Sequence, residues 1–299
     1  MIQVRSILPA ALLLAAIGSA RAGAAEAEPG QLVQARLLTN HATFKPGSSF
    51  LVGVHFKIRP KWHLYWRDPG ASGLPTEVVF QAPTGVTVGP LRWPVPEKFD
   101  QGEGLVGYGY QTELLLAAEV HVADDYRADR PLRIEAHTRW LACRESCVAG
   151  EKKLRLTLAP GPSKPGADSA LFDQWQKRLP LPVRGPSSPA RSVHALPGKA
   201  QGQQRIALEW KQTPQGVDCY PAGGTAAGIS DITIENRRTT STLTYTATIY
   251  SAQDLPADGR IPAVIVYRDA EGVRRGLQLA LPVAPPRPAP SGGARVPGL

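Results

Sequence analysis

Cys143 and Cys147, two cysteines separated by three residues, are the side chains of this sequence with the clearest capacity for chemistry. Such a pair can form a disulfide, exchange that disulfide with another thiol, or bind a soft metal ion. Apolar and polar residues alternate along 132–143 before the pair and along 153–158 after it. Alternation with a period of two predicts β-strands that each bury one face. The cysteines are therefore expected at the tip of a β-hairpin.

The spacing of the pair restricts how it can form a disulfide. In one extended strand, residues four positions apart lie about 13 Å apart, whereas a disulfide needs Cα atoms within ~4.4–6.8 Å. Residues that flank a three-residue hairpin loop face each other at about 4.5–5.5 Å. A Cys143–Cys147 bond therefore requires a chain reversal or one helical turn. By strand parity, Cys143 shares a face with Arg139, and Cys147 shares a face with Lys153, so both thiols are expected on the solvent-facing side.

A structural disulfide and a redox-active one are both compatible with this spacing. A bond that closes so small a loop removes little entropy from the unfolded chain, on the order of 2 kcal/mol, and strained tight-loop disulfides are more readily reduced. Nearby basic residues, Arg139 and Arg144 among them, would favour a thiolate after reduction, and Glu145 would oppose them. The spacing does not identify which cysteine a partner would attack.

A metal site is the third interpretation of the pair. Cys143, Cys147 and His137 could together bind Cu(I) or Zn(II). The sequence has no second cysteine pair and no histidine pair at metal-ligand spacing, and its single methionine is Met1. No metal and no small-molecule cofactor are therefore expected. Motifs of hydrolases, phosphate-binding loops and dinucleotide-binding folds are also absent from the sequence.

The amino terminus predicts export. Arg5 precedes a short apolar run, 7–17, and the small-residue motif Ala20-Arg-Ala22 follows. This order is typical of a secretory signal peptide, here residues 1–22, and about eleven apolar residues are too few to span a bilayer. We expect a soluble periplasmic protein after cleavage, in a compartment where disulfides persist.

The charge of the sequence argues against nucleic-acid binding. The 299 residues have a formal net charge of +9, and removal of Arg5 and Arg21 with the signal peptide lowers it to +7. The basic residues are scattered rather than grouped, so acidic partners or anionic membrane surfaces fit the chain better than nucleic acid.

Short alternating segments separated by turn residues predict an all-β protein. The sequence has 29 glycines and 29 prolines and no long helical pattern. We expect two immunoglobulin-like β-sandwich domains, at residues 30–160 and 191–284. A Pro/Gly-rich linker, 161–190, is expected between them, with a short helix at 170–178. The composition of 285–299 predicts a disordered tail.

Several motifs occur in an order that is typical of one family. They are Trp62-His-Leu-Tyr-Trp66, Asp68-Pro-Gly70, Gly73-Leu-Pro75, Trp93-Pro-Val-Pro96, Gly107-Tyr-Gly-Tyr110 and Trp140-Leu-Ala-Cys143 with Cys147. Together they resemble the amino-terminal periplasmic domain of the thiol:disulfide interchange protein DsbD, and more closely its ScsB-like relatives, which are linked to copper tolerance. The three-residue spacing of the cysteines is similar to that of the ScsB-like group. The second domain resembles, more weakly, the additional β-domain of that group.

The resemblance implies an immunoglobulin-like fold and a redox-active cystine formed by Cys143 and Cys147. In the family, this cystine accepts electrons from a membrane-embedded thiol reductase and passes them to periplasmic thioredoxin-fold proteins. The resemblance also implies a mobile cap loop whose aromatic side chains shield the cysteines. The segment Gly102–Tyr110 best matches the cap by its order in the chain, which makes Tyr108 and Tyr110 the candidate shields.

No segment of the sequence matches the membrane-embedded electron conduit or the carboxy-terminal thioredoxin domain of DsbD. We therefore expect a separate membrane protein as the electron donor of a protein-disulfide reductase-like relay. The alternatives are a non-catalytic binding or chaperone-like β-sandwich module with a structural disulfide, and a copper-handling protein. Cys219, in the second domain, is either an inert thiol or a resolving or intermolecular one.

Overall fold

The computed structural model describes residues 32–200 and 202–283 of the chain. The predicted signal peptide and the predicted carboxy-terminal tail lie outside these residues. In the described part, the protein is all-β apart from one short helix, and its strands form four sheets in two sandwich-like bodies. The predicted fold class is confirmed. No helix in the described ranges is long and apolar enough to cross a membrane.

The first body contains the strands that carry the cysteines. They are β1 (Val33–Thr39), β2 (Thr43–Phe44), β3 (Ser49–Ile58), β4 (His63–Gly70), β5 (Glu77–Gln81), β6 (Val86–Val88), β7 (Glu97–Asp100), β8 (Val106–Gln111), β9 (Glu113–Val122), β10 (Leu132–Cys143) and β11 (Cys147–Pro160). One sheet has the order β1-β3-β9-β6, and the other has the order β2-β11-β10-β4-β8-β7, with β5 also paired to β10. Side chains of both sheets, such as Phe56, Trp66 and Leu116, are buried in one core between them.

The β10–β11 hairpin follows the predicted alternation. Its antiparallel register is continuous up to Cys143, which lies opposite Cys147. On the apolar parity, Trp140 points into the core, and its ring centroid lies 5.7 Å from that of Phe56 in the facing sheet. Gly150 lies opposite Trp140, and a Cβ there would come within 2.5 Å of the indole. The absence of a side chain at Gly150 therefore leaves room for the tryptophan.

The second body follows after one helix. Its elements are α1 (Ser169–Gln176), which precedes it, and β12 (Ala190–Leu196), β13 (Gln203–Trp210), β14 (Gln215–Pro221), β15 (Ala227–Arg237), β16 (Thr240–Ile249), β17 (Arg260–Arg268) and β18 (Arg274–Pro282). Its two sheets have the orders β12-β13-β16-β15 and β14-β17-β18. Trp210, Tyr245 and Leu277 are among the residues buried between them.

Helix α1 lies in the predicted linker, where it begins one residue earlier and ends two residues earlier than the expected 170–178. Its apolar residues Phe172 and Trp175 are buried and belong to the core of the first body. After the helix, Leu181 forms a parallel bridge with Leu277 of β18. The linker is therefore packed against the first body and paired with the second.

The two bodies also contact each other directly. Tyr220 of β14 and Val264 and Val266 of β17 are buried in the same apolar cluster as Tyr108 and Tyr110 of β8. The sandwiches are thus joined by apolar packing as well as by the linker.

The close approach of β4 and β8 gives a prediction on stability. Gly109 lies opposite Tyr65, and a Cβ at this glycine would lie 2.0 Å from the carbonyl oxygen of Leu64. Gly109→Ala should therefore force the strands apart and lower the free energy of unfolding by about 2 kcal/mol or more. Gly89→Ala is the matched control, because the nearest atom to its added Cβ lies 3.5 Å away. Chemical denaturation compares the variants, and equal stabilities would contradict the observed register.

Candidate functional site

The candidate site is the disulfide at the tip of the β10–β11 hairpin. Cys143 ends β10, Cys147 begins β11, and the two form a disulfide with their Cα atoms 4.1 Å apart. Residues 144–146 make the turn, in which the backbone N–H of Arg144 donates to the carbonyl of Ser146 at 3.0 Å. The predicted chain reversal and disulfide are confirmed.

The two cysteines lie in different environments. Cys147 is exposed, whereas only 3% of the surface of Cys143 is accessible to solvent. The expectation that both lie on an open, solvent-facing side is therefore wrong for Cys143. Cys143 pairs with Cys147 of β11 on one side and with His63 of β4 on the other. The sheet therefore continues on both sides of Cys143. In the described residues, β11 pairs with no further strand at Cys147.

Three aromatic side chains form a cluster on the cysteine face of the sheet. The ring centroid of His63 lies 4.2 Å from that of Phe99 and 5.0 Å from that of Tyr65. Residues paired in register, and residues two apart on a strand, point to the same face. The pairing of β10, β4, β8 and β7 therefore places these rings on the face of Cys143. Gly107 lies opposite Phe99, and a Cβ there would come within 2.5 Å of the phenyl ring, so the glycine leaves the space that Phe99 occupies.

Phe99 belongs to residues 97–105, here named the cap segment, which comprise β7 and the turn that leads to β8 and only partly overlap the expected cap Gly102–Tyr110. The backbone N–H of Gln101 donates to the carbonyl of Leu105 at 2.9 Å and closes the turn. The side-chain amide of Gln101 donates to the Tyr65 hydroxyl at 3.1 Å, and its side-chain oxygen accepts a hydrogen bond from the Ser72 hydroxyl at 3.1 Å. These bonds attach the cap segment to β4 and to the loop after it.

Tyr108 and Tyr110, the shields expected from chain order, lie on the opposite face of β8. The hydroxyl of Tyr110 donates to the carbonyl of Pro94 at 2.8 Å, and burial raises its pKa well above the ordinary value. Tyr108 packs on Tyr220 of the second body, with ring centroids 4.7 Å apart. Alternation along β8 turns the glycines of the Gly-Tyr-Gly-Tyr motif to the cysteine face and the tyrosines away from it. The structure does not bring either tyrosine to the cysteines.

Sequence reasoning missed Phe99, although one signal was present. Phe99 is the single aromatic residue between Trp93 and Tyr108, and it directly precedes the turn with Gly102 and Gly104. Its placement near Cys143 depends on the pairing of β7 with β8 and of β8 with β4. A single sequence does not show those pairings.

The charges around the disulfide largely cancel. Burial lowers the pKa of His63, whose Nε2 is buried without a hydrogen-bond partner among the described residues, so the ring is mainly neutral at neutral pH. The Arg139 guanidinium lies 2.6 Å from the Glu77 carboxylate, and Arg144 lies 3.3 Å from the Glu145 carboxylate within the turn. Arg139 and Arg144, two of the basic residues expected to favour a thiolate, are therefore paired with acids.

The ligand set considered for a metal site is not assembled. His137 precedes Cys143 by six residues on one strand, which separates them by roughly 20 Å. Its Nε2 lies 3.6 Å from the Glu151 carboxylate. Across residues 32–200 and 202–283, no three His, Cys, Asp or Glu side chains are grouped as metal ligands.

Cys219 is a buried free thiol in the folded protein. It lies in β14 with 1% of its surface exposed, and burial raises its pKa to about 12. At neutral pH such a thiol is almost wholly protonated, and the thiolate is the nucleophile in disulfide exchange. The structure therefore gives Cys219 no part in the exchange chemistry of the hairpin.

Residues 34–159 match the profile of the family described as thiol:disulfide interchange protein DsbD, N-terminal. A comparison with curated protein sequences found no match. The crystal structure of the N-terminal periplasmic domain of ScsB from Proteus mirabilis is similar, with a TM-score of 0.62 and 17% identity over 87% of this chain and 97% of that chain. The DsbD n-terminal domain from Neisseria meningitidis, in the reduced form, matches 46% of this chain and 94% of that chain, with a TM-score of 0.28 and 15% identity.

The likeness to the ScsB domain concerns the fold, and it extends over both bodies. The segment matched by the family profile contains the cap segment, the β10–β11 hairpin and both of its cysteines. The amino-terminal body of this chain is therefore similar to the DsbD amino-terminal domain family over residues 34–159.

Proposed function

We propose that this protein is a periplasmic thiol-disulfide exchange protein that relays electrons through Cys143 and Cys147. The electrons come from a separate membrane-embedded thiol reductase and pass to periplasmic thioredoxin-fold proteins. The observation that carries the proposal is a disulfide with one exposed and one shielded cysteine, at a hairpin tip in a DsbD-type domain. In this proposal, residues 30–160 form the redox domain, and the linker 161–190 joins it to a second domain, 191–284. The predicted signal peptide and the periplasmic ScsB domain of the same fold support the location.

The unequal exposure of the pair supports Cys147 as the sulfur that a partner attacks. Exchange begins when a thiolate reaches one sulfur of the disulfide, and the rate depends on access to that sulfur. Cys147 is exposed at the end of the hairpin, whereas Cys143 lies beside His63 and the aromatic cluster. A protein partner therefore reaches the sulfur of Cys147 more readily than that of Cys143.

Reduction by a partner dithiol then proceeds in two steps. In the first, the partner thiolate forms a bond to the sulfur of Cys147, the Cys143–Cys147 bond breaks, and Cys143 leaves as a thiolate that takes up a proton. In the second, the other partner thiolate attacks the mixed disulfide and releases the Cys147 thiolate. The partner loses two electrons as its own disulfide forms, and the hairpin gains them.

Delivery of electrons to an acceptor is the same sequence in reverse. The Cys147 thiolate attacks the acceptor disulfide, and Cys143 resolves the mixed disulfide from the inner side. The burial of Cys143 fits this second role, because the resolving attack is intramolecular and needs no access for another protein.

We assign the shielding role to Phe99 rather than to Tyr108 or Tyr110. Phe99 shares the cysteine face and packs on His63, the register neighbour of Cys143. Its segment is attached through the side chain of Gln101 and by short pairing with β8, which can be broken without unfolding the core. A shield of this kind protects the reduced pair from stray oxidants and moves aside for a partner.

The reduction potential of the pair is the most direct test of the relay. A pair that exchanges with thioredoxin-fold proteins should have a potential above about −300 mV, since structural disulfides fall below that value. Equilibration with mixtures of reduced and oxidised dithiothreitol, followed by trapping of the hairpin thiols, measures it. A potential far below this limit would identify a structural bond and contradict the proposal.

The two single-cysteine variants should differ in reactivity. Cys143→Ser leaves the exposed Cys147 thiol, and Cys147→Ser leaves the buried Cys143 thiol beside His63. With oxidised glutathione, the first variant should form its mixed disulfide about tenfold faster than the second, because accessible thiols react faster. Mass spectrometry of the quenched reactions assigns the modified cysteine. Equal rates, or a faster reaction at Cys143, would reverse the assigned roles.

Removal of the shield should expose Cys143. Phe99→Ala deletes an aromatic contact of about 0.5–1.5 kcal/mol, which corresponds to a roughly two- to tenfold increase in the rate of reduction by dithiothreitol. Val79→Ala, at an exposed residue of β5 in the same sheet, should leave the rate unchanged. Tyr110→Leu should also leave it unchanged, because the ring that it removes lies on the other face. Acceleration by Tyr110→Leu but not by Phe99→Ala would restore the tyrosine as the shield.

A further inference from the structure

We propose that the second β-sandwich holds the cap segment closed over Cys143, with Lys98 and Tyr220 as positioning residues. Through this contact, the second body sets how readily the disulfide is reduced. The inference rests on the proposed function, since it concerns access to the same pair of cysteines.

The strand that carries the shield has little support within the first body. β7 is four residues long, lies at the end of its sheet and pairs with β8 alone among the described strands. Short edge strands with few contacts open locally at a small fraction of the global free energy of unfolding. When β7 detaches from β8, Phe99 leaves the cysteine face with it. Any further contact that holds β7 in place therefore reduces the fraction of time for which Cys143 is uncovered.

Lys98 connects β7 to the second body. It is adjacent to Phe99 on the strand, so the two side chains point to opposite faces. The Lys98 ammonium lies 2.9 Å from the Asp218 carboxylate and 6.0 Å from the centroid of the Tyr220 ring. One short strand therefore carries the shield on one face and a contact with the second body on the other.

Tyr220 supplies the larger part of this contact. Only 5% of its surface is exposed, and its ring centroid lies 4.7 Å from that of Tyr108, the residue opposite Lys98 in β8. The Tyr220 ring thus packs behind the β7–β8 pair. The Lys98–Asp218 ion pair is partly exposed and contributes little in water, whereas the buried aromatic packing contributes more.

The chain that leads into β7, and the end of β4, are also attached to elements that follow the first body. The Arg274 guanidinium of β18 donates to the carbonyl of Pro96, directly before β7. The N–H of Val95 donates to the carbonyl of Arg178, after α1, at 2.9 Å. Asp68 at the end of β4 accepts a hydrogen bond from the Gly224 N–H at 3.0 Å. The second body therefore contacts the cap strand, the chain that enters it and the end of β4.

Loss of the Tyr220 contact should increase the fraction of time that the cap is open. Tyr220→Ala should raise the rate of disulfide reduction by dithiothreitol about three- to tenfold. Lys98→Gln should raise it about twofold, because the ion pair is partly exposed. In this reaction, the two thiols of dithiothreitol form a cyclic disulfide, and the cysteines gain the two electrons and two protons. Acid quenching, alkylation and mass spectrometry follow the product over time.

Tyr267→Ala is the matched control for loss of a buried tyrosine in the second body. Tyr267 is 4% exposed and packs on Trp210 inside the second core, with ring centroids 4.8 Å apart. Its removal should lower stability but leave the reduction rate equal to that of wild type. A second control adds Tyr220→Ala to the Phe99→Ala variant. No further acceleration is expected there, because the shield through which Tyr220 acts is already absent.

Equal acceleration of reduction by Tyr220→Ala and Tyr267→Ala would overturn the proposal. So would a further acceleration when Tyr220→Ala is added to the Phe99→Ala variant. If Tyr220→Ala does not fold, an unchanged rate in Lys98→Gln overturns it instead, since Lys98 lies at the surface. Exchange with a reduced thioredoxin-fold protein tests the proposed function separately. Failure of that exchange, with the dithiothreitol pattern as expected, would contradict the relay and still support the contact between the second body and the cap.

Discussion

The register of β10 against its two neighbours is the constraint on which the site depends. On one side it places Cys143 opposite Cys147, close enough for a bond across a three-residue turn. On the other side it places Cys143 next to His63. A slip of one residue would turn Cys143 to the core face and remove it from both partners. One strand end therefore determines both the existence of the disulfide and the unequal burial of its two sulfurs.

That inequality makes access, rather than charge, the main control of reactivity in the proposed exchange. In many redox-active pairs, an adjacent cation or a helix terminus lowers the pKa of the attacking thiol. Here the charges of Arg144 and Glu145 lie together in the turn, and the pKa of His63 is lowered by burial. Little positive charge is left to stabilise a thiolate. The differences that remain between Cys143 and Cys147 are steric, and a segment that can cover or uncover one of them becomes the means of regulation.

Local patterns predicted the parts of this structure that depend on local interactions. The alternation along 132–143 and 153–158 predicted the hairpin, and the cysteine spacing predicted its tight turn. The burial of Cys143 could not be predicted in this way, because it depends on β4, some eighty residues earlier in the chain. The expectation that Tyr108 and Tyr110 lie near the cysteines failed for a similar reason, because strand pairing decides which face each side chain of β8 occupies. The position of Phe99 on the cysteine face becomes visible only once β7 and β8 are paired.

The contact between the two bodies has two parts of unequal strength, and this suits a cap that must open. Val264 and Val266 are fully buried in the cluster that the first body shares, so they keep the bodies together. Lys98 and its ion pair lie at the partly exposed edge of the same contact, next to the strand that carries Phe99. Opening of the edge does not require separation of the buried centre, because local openings involve the least protected elements first. The second sandwich can therefore remain docked while β7 moves, and the ease of that movement is determined by the packing of Tyr220 behind it.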